Sequence, residues 1–164
     1  MNFKNKKIAT KIRNSLLVLL IAVLSFGLWL PNYLVLEKGI NINITSDRLY
    51  NCLTHPENWQ QWGAKWKTQP VEFKVGDQLE FTQLVKASPL VIEELVEGEY
   101  INFQGEIISL ALLLENEGTQ TWLSISIEEK LGNNPLKKLM RHFFHSGTTQ
   151  QLNFNLKLIA QTCV

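Results

Sequence analysis

Acidic residues are missing from the first 36 positions. All fifteen Asp and Glu lie at or beyond Glu37, whereas Lys4, Lys6, Lys7, Lys11 and Arg13 precede it. The formal charge of +1 therefore hides a split, and the chain beyond Leu36 carries eleven basic residues against fifteen acidic ones, a balance of −4. Nucleic-acid binding needs a basic face that displaces counterions, so that balance argues against a DNA or RNA partner. Histidine is scarce as well, with three in 164 residues. His142 and His145 stand three apart but have no third ligand in reach of the pattern, so no metal is expected. His55 precedes a proline at a helix start, a place for a solvated or capping side chain. The sequence also lacks a P-loop, a G-x-S-x-G elbow and a Cys-His nucleophile pair, and no cofactor is expected. Cysteine occurs only as Cys52 and Cys163, with no C-x-x-C. Asn43-Ile44-Thr45 matches a glycosylation sequon, but within a predicted strand.

Charge is absent again from Asn14 to Leu36, "NSLLVLLIAVLSFGLWLPNYLVL". As a helix of roughly 23 residues this run reaches about 34 Å, enough for a hydrocarbon core of about 30 Å. The sequence divides accordingly into a basic N-terminus over 1–13, a transmembrane anchor over 14–36 and one domain over 37–164. Five basic residues before the run, against Lys38 close after it, orient the N-terminus to the cytoplasm and export the domain, as periplasmic or extracellular. Ser25-Phe26-Gly27 also offers a signal-peptidase site, but the apolar run continues past it, which favours an uncleaved anchor.

In the domain, Ile40, Ile42 and Ile44 alternate on a strand. Ser46 is positioned to cap a short helix through Leu53, and Thr54 with Glu57 reads as a capping box for a second that contains Pro56, Trp59 and Trp62. "VEFKVGDQLEFTQLV" alternates on either side of Gly76. Hairpins are expected at Glu97-Gly98 and at Asn116-Glu117-Gly118, and a break at Gly132–Pro135 ends the sheet. Beyond it Leu136, Met140, Phe143, Gly147, Gln151, Phe154 and Leu158 keep one helical phase, which predicts a single long helix, although a break near Ser146-Gly147 is an alternative.

The order of these features, with "INITSDRLYNCLTHPENWQQW" at the start, Gly76 before a strand, "EGTQTWLSI" in the last hairpin and "NPLKKLM…QLNFNLK" at the end, resembles the START-related helix-grip superfamily (SRPBCC), in particular its polyketide-cyclase-like branch. Thr54, Pro56, Glu57, Trp59 and Trp62 carry the turn typical of that branch. The resemblance implies an α+β fold, in which a curved antiparallel sheet of about seven strands grips a C-terminal helix around a cavity and two short helices close one end. Trp62, Trp66, Phe81, Phe103, Leu123, Ile125, Met140 and Phe143 would line the cavity around a small apolar or amphipathic molecule, with the lipid bilayer a second partner through the anchor. The same fold would bring Cys52 towards Cys163, with a disulfide and two free thiols both open. Three functions follow: a ligand-binding module, a cyclase-type enzyme, or an interaction domain with a filled core. An enzyme would need an inward acid, for which Glu94, Glu106 and their partner Arg141 are the candidates. Glu93 and Glu94 are adjacent in a strand, so one faces inward unless a bulge intervenes.

Overall fold

The computed structural model describes residues 3–62, 64–66, 70–81 and 89–164, the side chains of 3–10, 64–66, 80 and 81 excepted. The chain divides into two compact units, Met1–Asn32 with Leu131–Phe144, and Tyr33–Lys130 with His145–Val164.

The second unit is an antiparallel sheet with helices. Its strands are β1 (Tyr33–Ile42), β2 (Ala64–Trp66), β3 (Gln78–Phe81), β4 (Leu90–Val96), β5 (Tyr100–Gln104), β6 (Ile108–Asn116) and β7 (Thr121–Lys130), in the spatial order β1-β7-β6-β5-β4-β3-β2. Six of these have four residues or more, and β2 is a three-residue edge. Gly98 and Gly118 adopt positive φ (74° and 83°) at the two expected hairpin turns, and Asn116 Oδ1 accepts from the Gly118 amide at 2.8 Å. Strand alternation buries one row of side chains, among them Ile92, Ile101, Phe103, Leu112, Leu123 and Ile125. Thr121, fully buried, is satisfied by donating to the Ile44 carbonyl at 2.7 Å. The segment before Gly76, read as a strand, lies outside any strand.

Two short helices follow β1 as expected, α2 (Ser46–Leu53) and α3 (Pro56–Gln61), but their caps differ. The N-caps are Thr45 and His55, neither with a side-chain cap bond. Thr54 closes α2 instead of opening α3, its hydroxyl donating back to the Tyr50 carbonyl at 2.9 Å. Pro56 opens α3 at its first position, where its missing amide would have had no intrahelical partner.

The single long C-terminal helix is not observed. The chain forms α4 (Pro135–Phe143) and α5 (Ser146–Cys163), separated at Phe144, whose φ of −120° and ψ of 48° are not helical. The break divides the elements between units, α4 with the N-terminal helix and α5 with the sheet. It also resets the phase, so the buried side chains of α5 are Leu152, Leu156 and Ile159, whereas Phe154 is exposed.

In the first unit, α1 (Phe3–Trp29) ends before Pro31. Tyr33–Leu36, the last four residues of the uncharged run, pair in register with β7 opposite Lys130–Ile127. The sheet unit starts at Tyr33, and α4 belongs to the unit of α1. Lys11–Trp29, 19 residues, is long and apolar enough to cross a membrane. Asn134 caps α4, its Oδ1 accepting from the amides of Leu136 and Lys137. Pro135 and Leu139 lie against Gly27, where a Cβ would overlap the Pro135 carbonyl.

Lys138 is 3% exposed, and its Nζ donates to the carbonyls of Leu30 (2.9 Å) and Leu28 (3.4 Å). The last carbonyls of a helix lack intrahelical donors and carry partial negative charge, so the ammonium satisfies both needs. Lys138→Met, which keeps the stem and removes the charge, is expected to cost about 1.5–3 kcal/mol in this unit. Amide exchange over α4 in the full chain should then accelerate. Unchanged exchange would show that the cap contributes nothing.

Candidate functional site

The space between sheet and α5 is where the elements converge. Leu110 and Leu112 on β6, Ile125 and Ile127 on β7, Leu152, Asn155 and Ile159 on α5, and Trp59 and Trp62 from the α3 segment enclose a void of about 30 Å³. Eight of these nine side chains are apolar, and Asn155 is the one polar group.

The tryptophans seal one end of it. Trp59 donates its indole N–H to the Leu53 carbonyl, and its ring centroid lies 5.0 Å from Phe103, 5.4 Å from Trp62 and 5.7 Å from Phe73. The Trp62–Trp59 and Phe103–Trp59 pairs meet edge to face, the arrangement that aromatic quadrupoles favour. Trp62 Nε1 reaches Thr162 Oγ1 on α5 at 3.4 Å. Cys52 on α2 and Cys163 at the end of α5 are joined by a disulfide, with Cα atoms 5.7 Å apart, so the pairing left open by the sequence is made. Asn58 Nδ2 supports it, donating to the Cys52 carbonyl at 2.9 Å.

Of the eight predicted lining residues, the structure brings Trp62 and Ile125 to the void. Phe103 and Leu123 are fully buried in the surrounding core. Trp66 sits on β2 opposite Leu79, and Phe81 on β3 opposite Ala64, but both side chains lie outside the described residues. Met140 and Phe143 are on α4, in the other unit, 59% and 64% exposed. The lining residues that the sequence reading missed are chiefly Leu110 and Leu112, whose alternation in "ISLALLL" was available, and Leu152, Asn155 and Ile159, whose helical phase was obscured by the α4–α5 break.

The candidate acids are not brought together. The β4–β5 register shifts between Ile92 and Glu94, a bulge that leaves both Glu93 and Glu94 exposed. Glu93 Oε2 accepts from Asn102 Nδ2 at 3.1 Å. Their charges act on Tyr100, whose phenol is held above its ordinary value first by burial and then by Glu94 and Glu93. Glu106 is exposed, and Arg141 belongs to α4. Among the described residues, no group of three or more His, Cys, Asp or Glu could hold a metal ion.

No protein-family model matches the chain, and no curated protein matches it. Solved structures do resemble it. Protein BH1534 of Bacillus halodurans is 12% identical with a TM-score of 0.62, over 82% of this chain and 100% of that one. TTHA0849 of Thermus thermophilus is 11% identical with a TM-score of 0.61, over 79% and 97%. Ara h 8.0201 is 14% identical with a TM-score of 0.56, over 80% and 97%. These neighbours have Bet v1/START-like helix-grip folds, in which a sheet is combined with a C-terminal helix. At such identities the likeness establishes the fold alone.

Proposed function

We propose that the chain is a single-pass membrane protein whose exported helix-grip unit binds, without chemical conversion, a small hydrophobic or amphipathic molecule between the sheet and α5. The observation that carries this reading is the character of the void: apolar walls from four elements, one polar side chain and no ionisable group among the lining residues. Such walls suit retention of an apolar body, with Asn155, whose Oδ1 already accepts from Gln151 Nε2 at 3.0 Å, offering its amide N–H as the one polar point. A cyclase-type reaction would need an inward acid, and Glu94 and Glu106 face solvent. The apolar stretch of α1 supports the anchor, and a disulfide suits an oxidising, exported compartment.

Ligand sites commonly measure about 300–1,000 Å³, so a void of about 30 Å³ must widen on binding. Its volume favours a second reading, in which the core is filled and the unit works through its outer surface. The disulfide that holds the far end of α5 to α2 favours it too. Native mass spectrometry of the full chain, purified from membranes and released from nanodiscs of one synthetic phosphatidylcholine, separates the two. The binding reading expects a co-purified mass other than that lipid. A clean apo mass that stays unshifted after incubation with lipid extract would replace it with the filled-core reading.

A further inference from the structure

We propose that α4 lies flat in the membrane interface beside the point where α1 leaves the bilayer, so that the chain meets the lipid through two elements. This rests on the reading of α1 as a membrane span.

The two helices belong to one unit, and α4 sits against the C-terminal end of α1 through Pro135 and Leu139 at Gly27. That contact uses only one side of α4. A second side carries Leu136, Met140 and Phe143, at i, i+4 and i+7, and Phe144 follows just past the end of the helix, each between 55% and 71% exposed. Four large apolar side chains left in water within nine residues are costly on a soluble surface and ordinary on a helix lying at a lipid interface.

The lipid bilayer is the occupant argued for because this apolar side continues the outer surface of α1. The Phe143 ring centroid lies 6.5 Å from that of Phe26, itself exposed on α1 within the candidate span. Trp29, 83% exposed, ends α1 at the level where aromatic side chains favour the interface. Charge agrees with this placement. Lys137 and Arg141 follow around the helix beside the apolar side, and residues 131–145 contain no acid, whereas all fifteen acids of the chain belong to the other unit. Basic side chains flanking an apolar strip match phosphate headgroups above acyl chains.

The test places a photoreactive benzophenone side chain at Met140 or Phe144 in the full chain, with Leu19 in α1 and Lys137 on the flank as reference positions. The protein is irradiated in phosphatidylcholine–phosphatidylglycerol vesicles, and adducts are mapped by mass spectrometry. Loss of two hydrogens at Cys52 and Cys163 verifies folding of each variant, and the two positions, 140 and 144, guard against failure of either one. Acyl-chain adducts at positions 19, 140 and 144, severalfold above those at 137, are expected. Adducts at 19 without adducts at 140 or 144, or protein adducts there instead, would overturn the inference while sparing the anchor. Absence of lipid adducts at position 19 would overturn both.

Discussion

Replacing Cys52 and Cys163 together by serine is expected to cost about 4–5 kcal/mol, which would lower the unfolding midpoint of the sheet unit by about 15–20 °C. The bridge joins residues 111 apart in sequence, and removing it releases the unfolded chain from a long closed loop. It also ties the last turn of α5 to α2, and without it the end of α5 is held by Trp62–Thr162 and the packing of Ile159. Calorimetry of the oxidised protein, the dithiothreitol-reduced protein and the double variant checks this. The latter two should agree with each other and lie well below the first. Equal midpoints in all three would mean that the bridge leaves stability untouched.

Phe103→Ala is expected to cost about 3–5 kcal/mol, among the largest effects available to a single truncation in this core. Phe103 is fully buried, and its ring meets Trp59 and Phe73 at 5.0 and 6.3 Å. Removing it takes away the contact of two other aromatic side chains as well as its own transfer energy. The space left would adjoin Trp59 and stay apolar, so a small apolar probe such as benzene should recover part of the loss. Urea unfolding with and without benzene measures both quantities. A cost below about 1 kcal/mol would mean that the site collapses around the deletion.

Much of the architecture was legible because local chemistry dictates it. Gly98 and Gly118 mark turns that need positive φ, Pro56 and Pro135 open helices, and alternation in β7 assigns Leu123, Ile125 and Ile127 to the inner face. The misreadings have one cause in common. Periodicity reports that a face is apolar, but not what covers it. Leu136, Met140 and Phe143 matched the phase of the residues beyond Gly147, yet they belong to a helix that packs on α1. Leu34, Val35 and Leu36 extend an uncharged run, so a strand edge paired with β7 read as the end of a membrane span. The bulge after Ile92 changes where Glu94 points and carries no residue signature of its own.

The buried ammonium of Lys138 shows the same limit from the polar side. In sequence it is one of two adjacent lysines on an amphipathic helix, and Lys137 would serve equally. Only the approach of α4 to the end of α1 selects Lys138, because the carbonyls of Leu28 and Leu30 are offered there.

On the binding reading, the interior between sheet and α5 accepts an apolar guest. Methyl-resolved NMR of the full chain in nanodiscs, titrated with the fluorescent amphiphile anilinonaphthalene sulfonate, tests it most directly. Saturable shifts are expected, concentrated on the methyls of Leu110, Leu112, Ile125, Ile127, Leu152 and Ile159, which line the void. Shifts confined to outward-facing methyls such as those of Val35 and Leu113, with the interior set unmoved to saturation, would contradict it and leave the filled core as the correct description.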